Sequence, residues 1–197
     1  MNHIDIFELR REIFHILAGI GFILMILFVP YAEFALFAVF ILGGLLSILS
    51  TRIKIPGLSK CLCVFERECN KNLPGKGVLY FFLGSLISLR LFDINIALAA
   101  ITILTFSDPV SHFIGSNFGR IKLVNERKNV EGTIAGIIIG TLLASFFVHF
   151  WLAFIASLAA MLFELLGIKL AESEIDDNLL IPLVAGTTMF LILRFLG

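Results

Sequence analysis

The chain has 197 residues, of which 59% are hydrophobic and only 15% are charged, and its mean hydropathy is +1.02. This balance excludes an ordinary soluble domain and is typical of a polytopic membrane protein. The 15 basic and 15 acidic residues cancel, so the net charge gives no indication of a nucleic-acid polymer as a partner, and none is expected.

Apolar segments long enough to cross a hydrocarbon core of about 30 Å recur along the whole chain. We therefore predict an all-α fold, a polytopic membrane helix bundle in which residues 1–197 form a single domain with about seven transmembrane helices. A count of six stays open because the third segment is short. The predicted spans, in chain order, are 12–29, 31–50, 77–92, 94–117, 131–148, 150–167 and 178–196.

Basic residues collect on one side of this predicted topology. Alternating spans place the N-terminus and the loops 51–76, 118–130 and 168–177 on the same side, which carries 13 of the 15 Lys and Arg residues. Only Arg90 and Arg194 lie opposite. The positive-inside rule makes the basic side cytoplasmic, so we predict a cytoplasmic N-terminus and, in a prokaryote, a plasma-membrane location.

Polar side chains of the first span fall on one helical face. The spacing is i, i+3 or i+4, which places these residues on one side of a helix that descends from the interface: Glu8, Arg11, Glu12, His15 and Gly19. A structural histidine bonded to a neighbouring helix would explain His15 equally well when it is considered alone. Its charged neighbours on the same face make it a candidate site residue.

The fourth span contains the most informative residue of the chain, Asp108. A carboxylate inside a membrane segment is costly, and ionisable groups there indicate a functional site by default. Pro109 follows at once and lacks a backbone donor, so we predict that Ser107–Pro109 breaks the helical hydrogen-bond ladder and leaves backbone carbonyls that need protein, water or ion partners. Asp108 would lie about 21 Å from Ile94 along the helix, in the cytosolic third of the membrane.

Further polar residues are predicted at the same shallow depth. Glu164 precedes the end of the sixth span by about one turn, and Asp177 and Asn178 open the seventh. If these faces pack inward, they meet His15 and Asp108 in one polar pocket that is open to the cytosol. Two alternatives remain open: Glu164 paired structurally with a loop cation, and helix capping by the polar residues that begin the seventh span.

The fifth span begins with Glu131 and continues with small residues spaced four apart, Gly132, Gly136, Gly140 and Ala144. Such a stripe lets two membrane helices approach closely. We interpret the last three residues as packing positions. Glu131 and Gly132 lie at the predicted cytosolic entrance and are candidates for ligand binding.

Carboxylates in a wet pocket, ringed by Lys and Arg, suit a soluble polyphosphate that meets a lipid headgroup. Carboxylates bind Mg²⁺ together with water and phosphate oxygens, and basic groups neutralise charge on a transferred phosphoryl group. A proton-coupled transporter could use the same residues, with Asp108 and His15 as proton carriers. The crowding of polar positions in one leaflet favours the enzyme, since a transport path should continue to the far side.

The same residues resemble the motifs of the CTP-dependent polyprenol kinase family. This family includes dolichol kinase, phytol kinase and CTP-dependent diacylglycerol kinase, and it is related to the phosphatidate cytidylyltransferases. The resemblance covers nearly the whole chain in the right order. It is carried by Glu8–His15 with Gly19, by Ser107–Pro109 through Gly115 to Gly119–Arg120, by Lys128–Thr133, by Glu164 with Asp176–Asn178 and Pro182, and less distinctively by Arg67, Lys76, Gly77, Tyr80 and Gly84. Residues that differ from the family pattern are Ser107, Ser111, His112 and Asn129.

The resemblance implies transfer of the γ-phosphoryl group of CTP to a membrane isoprenoid alcohol of the polyprenol, dolichol or phytol type. The products would be the lipid monophosphate and CDP, and a divalent cation such as Mg²⁺ would be required. Diacylglycerol as the acceptor and a phosphatidate-type cytidylyl transfer are alternatives, although the C-terminal motif of the cytidylyltransferases is absent. The oligomeric state does not follow from these motifs.

We assign candidate roles to the residues that match the family motifs. Predicted catalytic residues are Asp108, His15 and Glu164; predicted metal ligands are Asp108, Asp177 and Glu164; and predicted nucleotide-binding residues are Arg11, Lys76, Arg120, Lys128, Glu131, Gly132 and Asn178.

Overall fold

A computed structural model describes residues 6–52, 75–122, 128–166, 169–170, 173–174 and 176–196. These residues form seven helices and one hairpin of two very short strands. The helices are α1 (Ile6–Phe28), α2 (Ala32–Arg52), α3 (Lys76–Leu91), α4 (Ile94–Phe118), α5 (Val130–Ala144), α6 (Phe150–Leu166) and α7 (Asp177–Leu196). Strands β1 (Lys169–Leu170) and β2 (Ser173–Glu174) pair antiparallel between α6 and α7.

Helical structure is confirmed wherever a span was predicted within the described residues. Four segments are long and apolar enough to cross a membrane, and α5 and α6 are apolar but shorter. The α5 helix ends at Ala144 rather than at residue 148, because a turn follows it. Most of the predicted loop 51–76, including Arg67, lies outside the described residues. The four long segments are Leu9–Phe28, Ala32–Ser50, Ile94–Phe118 and Asp177–Phe195.

Large apolar side chains cover the outer faces of the bundle. Leu17 on α1 and Phe34 on α2 are 61% and 60% exposed, and Leu42 and Leu45 are exposed to a similar extent. A surface with so many exposed apolar groups is unfavourable in water but favourable in contact with lipid. The outside of the bundle therefore has the composition of a membrane-facing surface.

The α4 helix lies at the centre of the bundle, where it packs against α1, α3, α5, α6 and α7. Its first half is almost entirely apolar, and Ala97, Ile101, Ile103 and Leu104 are completely buried. Polar residues farther along the same helix are buried as well, among them Asp108. The position of α4 therefore delivers its polar residues to the interior.

The helix α4 runs through Pro109 without interruption from Ile94 to Phe118. The break in the hydrogen-bond ladder that was predicted at Ser107–Pro109 therefore does not interrupt the helix. Proline removes only the hydrogen bond that its own backbone nitrogen would have donated, and packing from several neighbouring helices holds the remaining turns in place.

Glycines bring α4 into close contact with its neighbours. A Cβ atom at Gly19 of α1 would overlap the Thr105 side chain, and a Cβ at Gly140 of α5 would overlap the Ser107 hydroxyl. The predicted packing role of the small-residue stripe on α5 is confirmed by this contact. These close approaches draw the polar ends of α1 and α5 towards the second half of α4.

Candidate active site

Four side chains converge at the polar end of α4. Asp108, His112, Glu164 and Asp177 each offer one ligand atom, and these four atoms lie within 4.8 Å of one another. Asp108 and His112 share a face of α4 because they are four residues apart, and His112 Nε2 lies 3.2 Å from Asp108 Oδ1. The arrangement combines the three predicted metal ligands with a histidine that the predicted site did not contain.

Lys128 inserts its ammonium group between two of these carboxylates. Its Nζ donates to Glu164 Oε1 and, at 3.3 Å, to Asp177 Oδ2. Burial lowers the pKa of Lys128, but Glu164 and Asp177 outweigh burial and raise the pKa above its ordinary value. Lys128 therefore stays protonated, and the predicted pairing of Glu164 with a loop cation is confirmed.

The exposed fraction of the side chains increases from the inner side of this cluster, at Glu164, to its outer side, at Asp177. The Glu164 side chain is 1% exposed, Lys128 is 11%, Asp108 is 12% and His112 is 18%, whereas Asp177 reaches 35%. A ligand can thus reach the cluster past Asp177. The buried Glu164 Oε2 has no hydrogen-bond partner among the described residues, so the donor set and this unpaired oxygen together fit a divalent cation.

Residues of α1 lie beside the cluster. Arg11 forms an ion pair with Glu12, and the buried Glu12 carboxylate is within electrostatic range of Asp108. Sequence reasoning placed Glu12 on the polar stripe but did not assign it to the site. The signal that could have identified Glu12 is its position next to Arg11, near the predicted membrane interface.

His15 is the deepest polar residue on this face of α1. Its ring meets the edge of Phe81 at a centroid distance of 5.1 Å, and it hydrogen bonds the backbone of Leu104. The buried Nε2 atom has no hydrogen-bond partner among the described residues. His15 is also within electrostatic range of Asp108. Its ring is therefore held in place by Phe81 and Leu104, while its Nε2 atom can still accept a proton.

The start of α7 divides its polar residues between two roles. Asp176 Oδ1 accepts a 3.1 Å hydrogen bond from the backbone nitrogen of Asn178, which confirms the predicted helix cap for Asp176. Burial raises the pKa of Asp176 to about 6. The Asn178 amide donates to Gly77 O at 3.3 Å and thus joins α7 to α3, while Asp177 faces Lys128 instead.

The segment after α4 is anchored by Asn129 and Glu131. Asn129 Nδ2 donates to Gly115 O at 2.7 Å, and Glu131 Oε1 accepts from the backbone nitrogens of Arg120 and Ile121 at 3.0 and 3.3 Å. These bonds hold the start of α5 against the end of α4. They therefore position Lys128, which directly precedes Asn129.

Three further residues that were predicted to bind the nucleotide lie outside the cluster of Asp108, His112, Glu164 and Asp177. A Cβ at Gly132 would overlap the Ser111 carbonyl oxygen, so Gly132 serves close packing between α4 and α5. Arg120 is exposed. Lys76 lies over the Tyr80 ring, with its Nζ 5.3 Å from the ring centroid.

Comparison with known proteins finds a relative of similar length. The uncharacterized protein MJ1137 of Methanocaldococcus jannaschii is 31% identical over 181 residues, which cover 91% of each chain. No family model matches the chain, and no solved structure matches it. The chain belongs to the same family as MJ1137.

Proposed function

We propose that this member of the MJ1137 family is a membrane lipid-alcohol kinase. It transfers the γ-phosphoryl group of CTP to an isoprenoid alcohol of the polyprenol, dolichol or phytol type and releases the lipid monophosphate and CDP. The convergence of Asp108, His112, Glu164 and Asp177 around the ammonium group of Lys128 carries this proposal. CTP and the isoprenoid class of acceptor rest on the motif resemblance.

The proposal includes a membrane topology in which all seven helices cross the bilayer. The N-terminus and the Lys128 segment then share the cytoplasmic side, which the distribution of Lys and Arg favours. The site faces the cytoplasm, where nucleotides are available, and a prokaryotic cell would carry the protein in its plasma membrane. The apolar outer face of α1, the helix that also contributes His15, offers the lipid acceptor a surface.

The acidic residues and Lys128 have complementary functions in this reaction. Asp108, Glu164 and Asp177 hold the divalent cation, which supplies charge neutralisation to the phosphates when it is bound. Lys128 already balances Glu164 and Asp177 in the free protein. A bound triphosphate offers this ammonium group new anionic partners, so Lys128 turns from the carboxylates to the phosphate oxygens and stabilises the transferred group.

His15 provides an acceptor for the proton that the lipid alcohol must lose. The alcohol oxygen forms a bond to the γ-phosphorus, the bond to the β-phosphate oxygen breaks, and the proton moves to His15 Nε2. That atom is buried and has no hydrogen-bond partner among the described residues. Arg11 holds Glu12 beside this position, and Arg120 and Lys76 attract the polyphosphate at the rim.

The test is a matrix of γ-labelled nucleotides against lipid alcohols, using purified full-length protein and chromatography of the products. We expect label from CTP to appear in an isoprenoid monophosphate in the presence of a divalent cation. Label transfer to diacylglycerol instead would identify the alternative acceptor. In a parallel reaction with α-labelled CTP and phosphatidate, incorporation of the label into lipid with release of pyrophosphate would identify a cytidylyltransferase.

A transporter is distinguished by a second measurement on the same preparation. Protein reconstituted in vesicles would move a solute in response to a proton gradient, and no lipid would be phosphorylated with any nucleotide or cation. That pair of results would overturn the kinase proposal. The continuous α4 helix does not provide the discontinuous helix that many transporters use at their binding sites.

A further inference from the structure

We propose that His112 gives the site a preference for a divalent transition ion of the Mn²⁺ class over Mg²⁺. The inference concerns which cation binds, and it rests on the proposed function only for the use of that cation with a nucleotide. The main support is that the His112 imidazole lies among the carboxylates of Asp108, Glu164 and Asp177. His112 is also a position at which the chain differs from the family motif that it resembles.

The four ligand atoms are close enough together to surround one ion. Donor atoms bound to one ion at about 2.1 Å lie at most about 4.2 Å apart. The four atoms here fall within 4.8 Å of one another, so shifts of a few tenths of an ångström would close the shell. They come from α4, α6 and α7, which pack against one another, and the frame of the site therefore already exists.

A buried carboxylate oxygen without a hydrogen-bond partner provides a second indication of a cation site. Glu164 is 1% exposed, and its Oε2 has no hydrogen-bond partner among the described residues. Such an atom costs free energy unless a ligand or another polar group satisfies it. Because Glu164 Oε1 already accepts from Lys128, Oε2 is the atom that a cation would satisfy without first displacing the lysine.

Donor chemistry decides which cation fits. Mg²⁺ prefers oxygen donors in a near-ideal octahedron and gives up its waters reluctantly. Imidazole nitrogen favours first-row transition ions, while carboxylates also suit Mn²⁺. One imidazole and three carboxylates therefore favour Mn²⁺ or a similar ion, and two further positions remain for phosphate oxygens or water.

A structural role for His112 makes a different prediction. His112 and Asp108 are an i, i+4 pair on α4, and such pairs stabilise helices whether or not a metal binds. In that case the loss of the imidazole would change the unfolding midpoint and leave the relative affinities for Mn²⁺ and Mg²⁺ unchanged. The ratio of the two affinities is therefore the measurement that separates the roles.

The experiment titrates Mn²⁺ into purified full-length protein in detergent and follows free Mn²⁺ by electron paramagnetic resonance, with Mg²⁺ as competitor. We expect the wild type to bind Mn²⁺ at least about tenfold more tightly than Mg²⁺. His112→Asn should lose most of that preference, and His149→Asn, at an exposed position between α5 and α6, should retain it. If His112→Asn does not fold, His112→Gln takes its place, with unfolding midpoints measured for every protein.

An unchanged affinity ratio in a folded His112 variant would overturn the inference, and so would a wild type without any preference for Mn²⁺. These outcomes are independent of the kinase assay. Selective Mn²⁺ binding without lipid phosphorylation would leave the metal inference standing and remove the proposed function. Lipid phosphorylation that depends on Mg²⁺ and is unchanged in the His112 variant would support the proposed function and remove the metal inference.

Discussion

The two halves of α4 are both buried, but their surroundings differ. From Ile96 to Leu104 the helix meets mainly apolar side chains, and every residue is at most 3% exposed. From Asp108 to His112 it meets carboxylates and a lysine. The apolar half gains free energy from close packing, whereas the polar half loses free energy because its charges are removed from water.

This contrast indicates why the polar residues are present. A bundle assembled for stability alone could fill the same space with apolar side chains, often at no cost or with a gain. Charged groups inside a membrane protein instead mark the position of binding or chemistry. The first half of α4 therefore acts as a scaffold, and the second half acts as a site. Variants in each half should affect different measurements.

The largest effect is expected for Lys128→Met. Removing one partner from a buried ion pair leaves the other charge uncompensated, at a cost of about 3–5 kcal/mol, and it also removes the group that stabilises the transferred phosphoryl. We expect lipid phosphorylation to fall at least about 100-fold and the unfolding midpoint to drop. Lys122→Met, at an exposed position, is the matched control. Near-normal phosphorylation by Lys128→Met would remove Lys128 from the mechanism.

The packing of α5 against the polar half of α4 is tested by Gly132→Ala. The added Cβ would overlap the Ser111 carbonyl oxygen on α4, so the helices must separate, and we expect a loss of about 2 kcal/mol. Gly21→Ala is the control, because nothing lies within 4 Å of its added Cβ and alanine favours a helix by up to about 1 kcal/mol. Equal unfolding midpoints for the two variants would show that α4 and α5 are not closely packed.

The scaffold half is tested by Ile101→Ala. Ile101 is completely buried, and its truncation leaves a cavity that should cost about 2 kcal/mol. Phosphorylation per folded molecule should stay at the wild-type level. Ile138→Ala, at a position that is 54% exposed, should leave both quantities unchanged. A selective loss of activity in Ile101→Ala would contradict the division of α4.

An effect of pH on the free energy of unfolding is expected at the start of α7. The pKa of Asp176 is about 6 in the folded protein, above its ordinary value of 3.8. The folded state therefore holds this proton more tightly, so the stabilisation is present below pH 4 and is lost as the pH rises through 6. Asp176→Asn keeps the capping oxygen but does not titrate. The wild type should lose about 2 kcal/mol relative to this variant between pH 4 and pH 7, and parallel curves would contradict the assignment.

Sequence periodicity was sufficient to predict the helices and the convergence of several polar residues. Asp108, Glu164 and Asp177 were predicted at one depth because rise per residue converts sequence position into depth. That calculation does not determine how each helix rotates about its axis. The sequence therefore could not determine which neighbours Asn178 would contact, and it meets Gly77 on α3.

Two local features were harder to predict. Glu131 accepts hydrogen bonds from backbone nitrogens after α4, which depends on the path of a loop that has no periodic pattern. His112 was treated as a departure from a motif, although its spacing of four from Asp108 already placed both on one helical face. Spacing was thus the available signal for His112, while no comparable signal existed for the backbone contacts of Glu131.

The most direct test of the polar half is a paired measurement on Asp108→Asn. This variant keeps the shape of the side chain and removes its charge, so it separates chemistry from packing. We predict that transfer of label from CTP to lipid falls at least about 100-fold per folded molecule, and the unfolding midpoint measured alongside establishes that the variant is folded. Wild-type transfer by folded Asp108→Asn protein would contradict the assignment of this cluster as a phosphotransfer site.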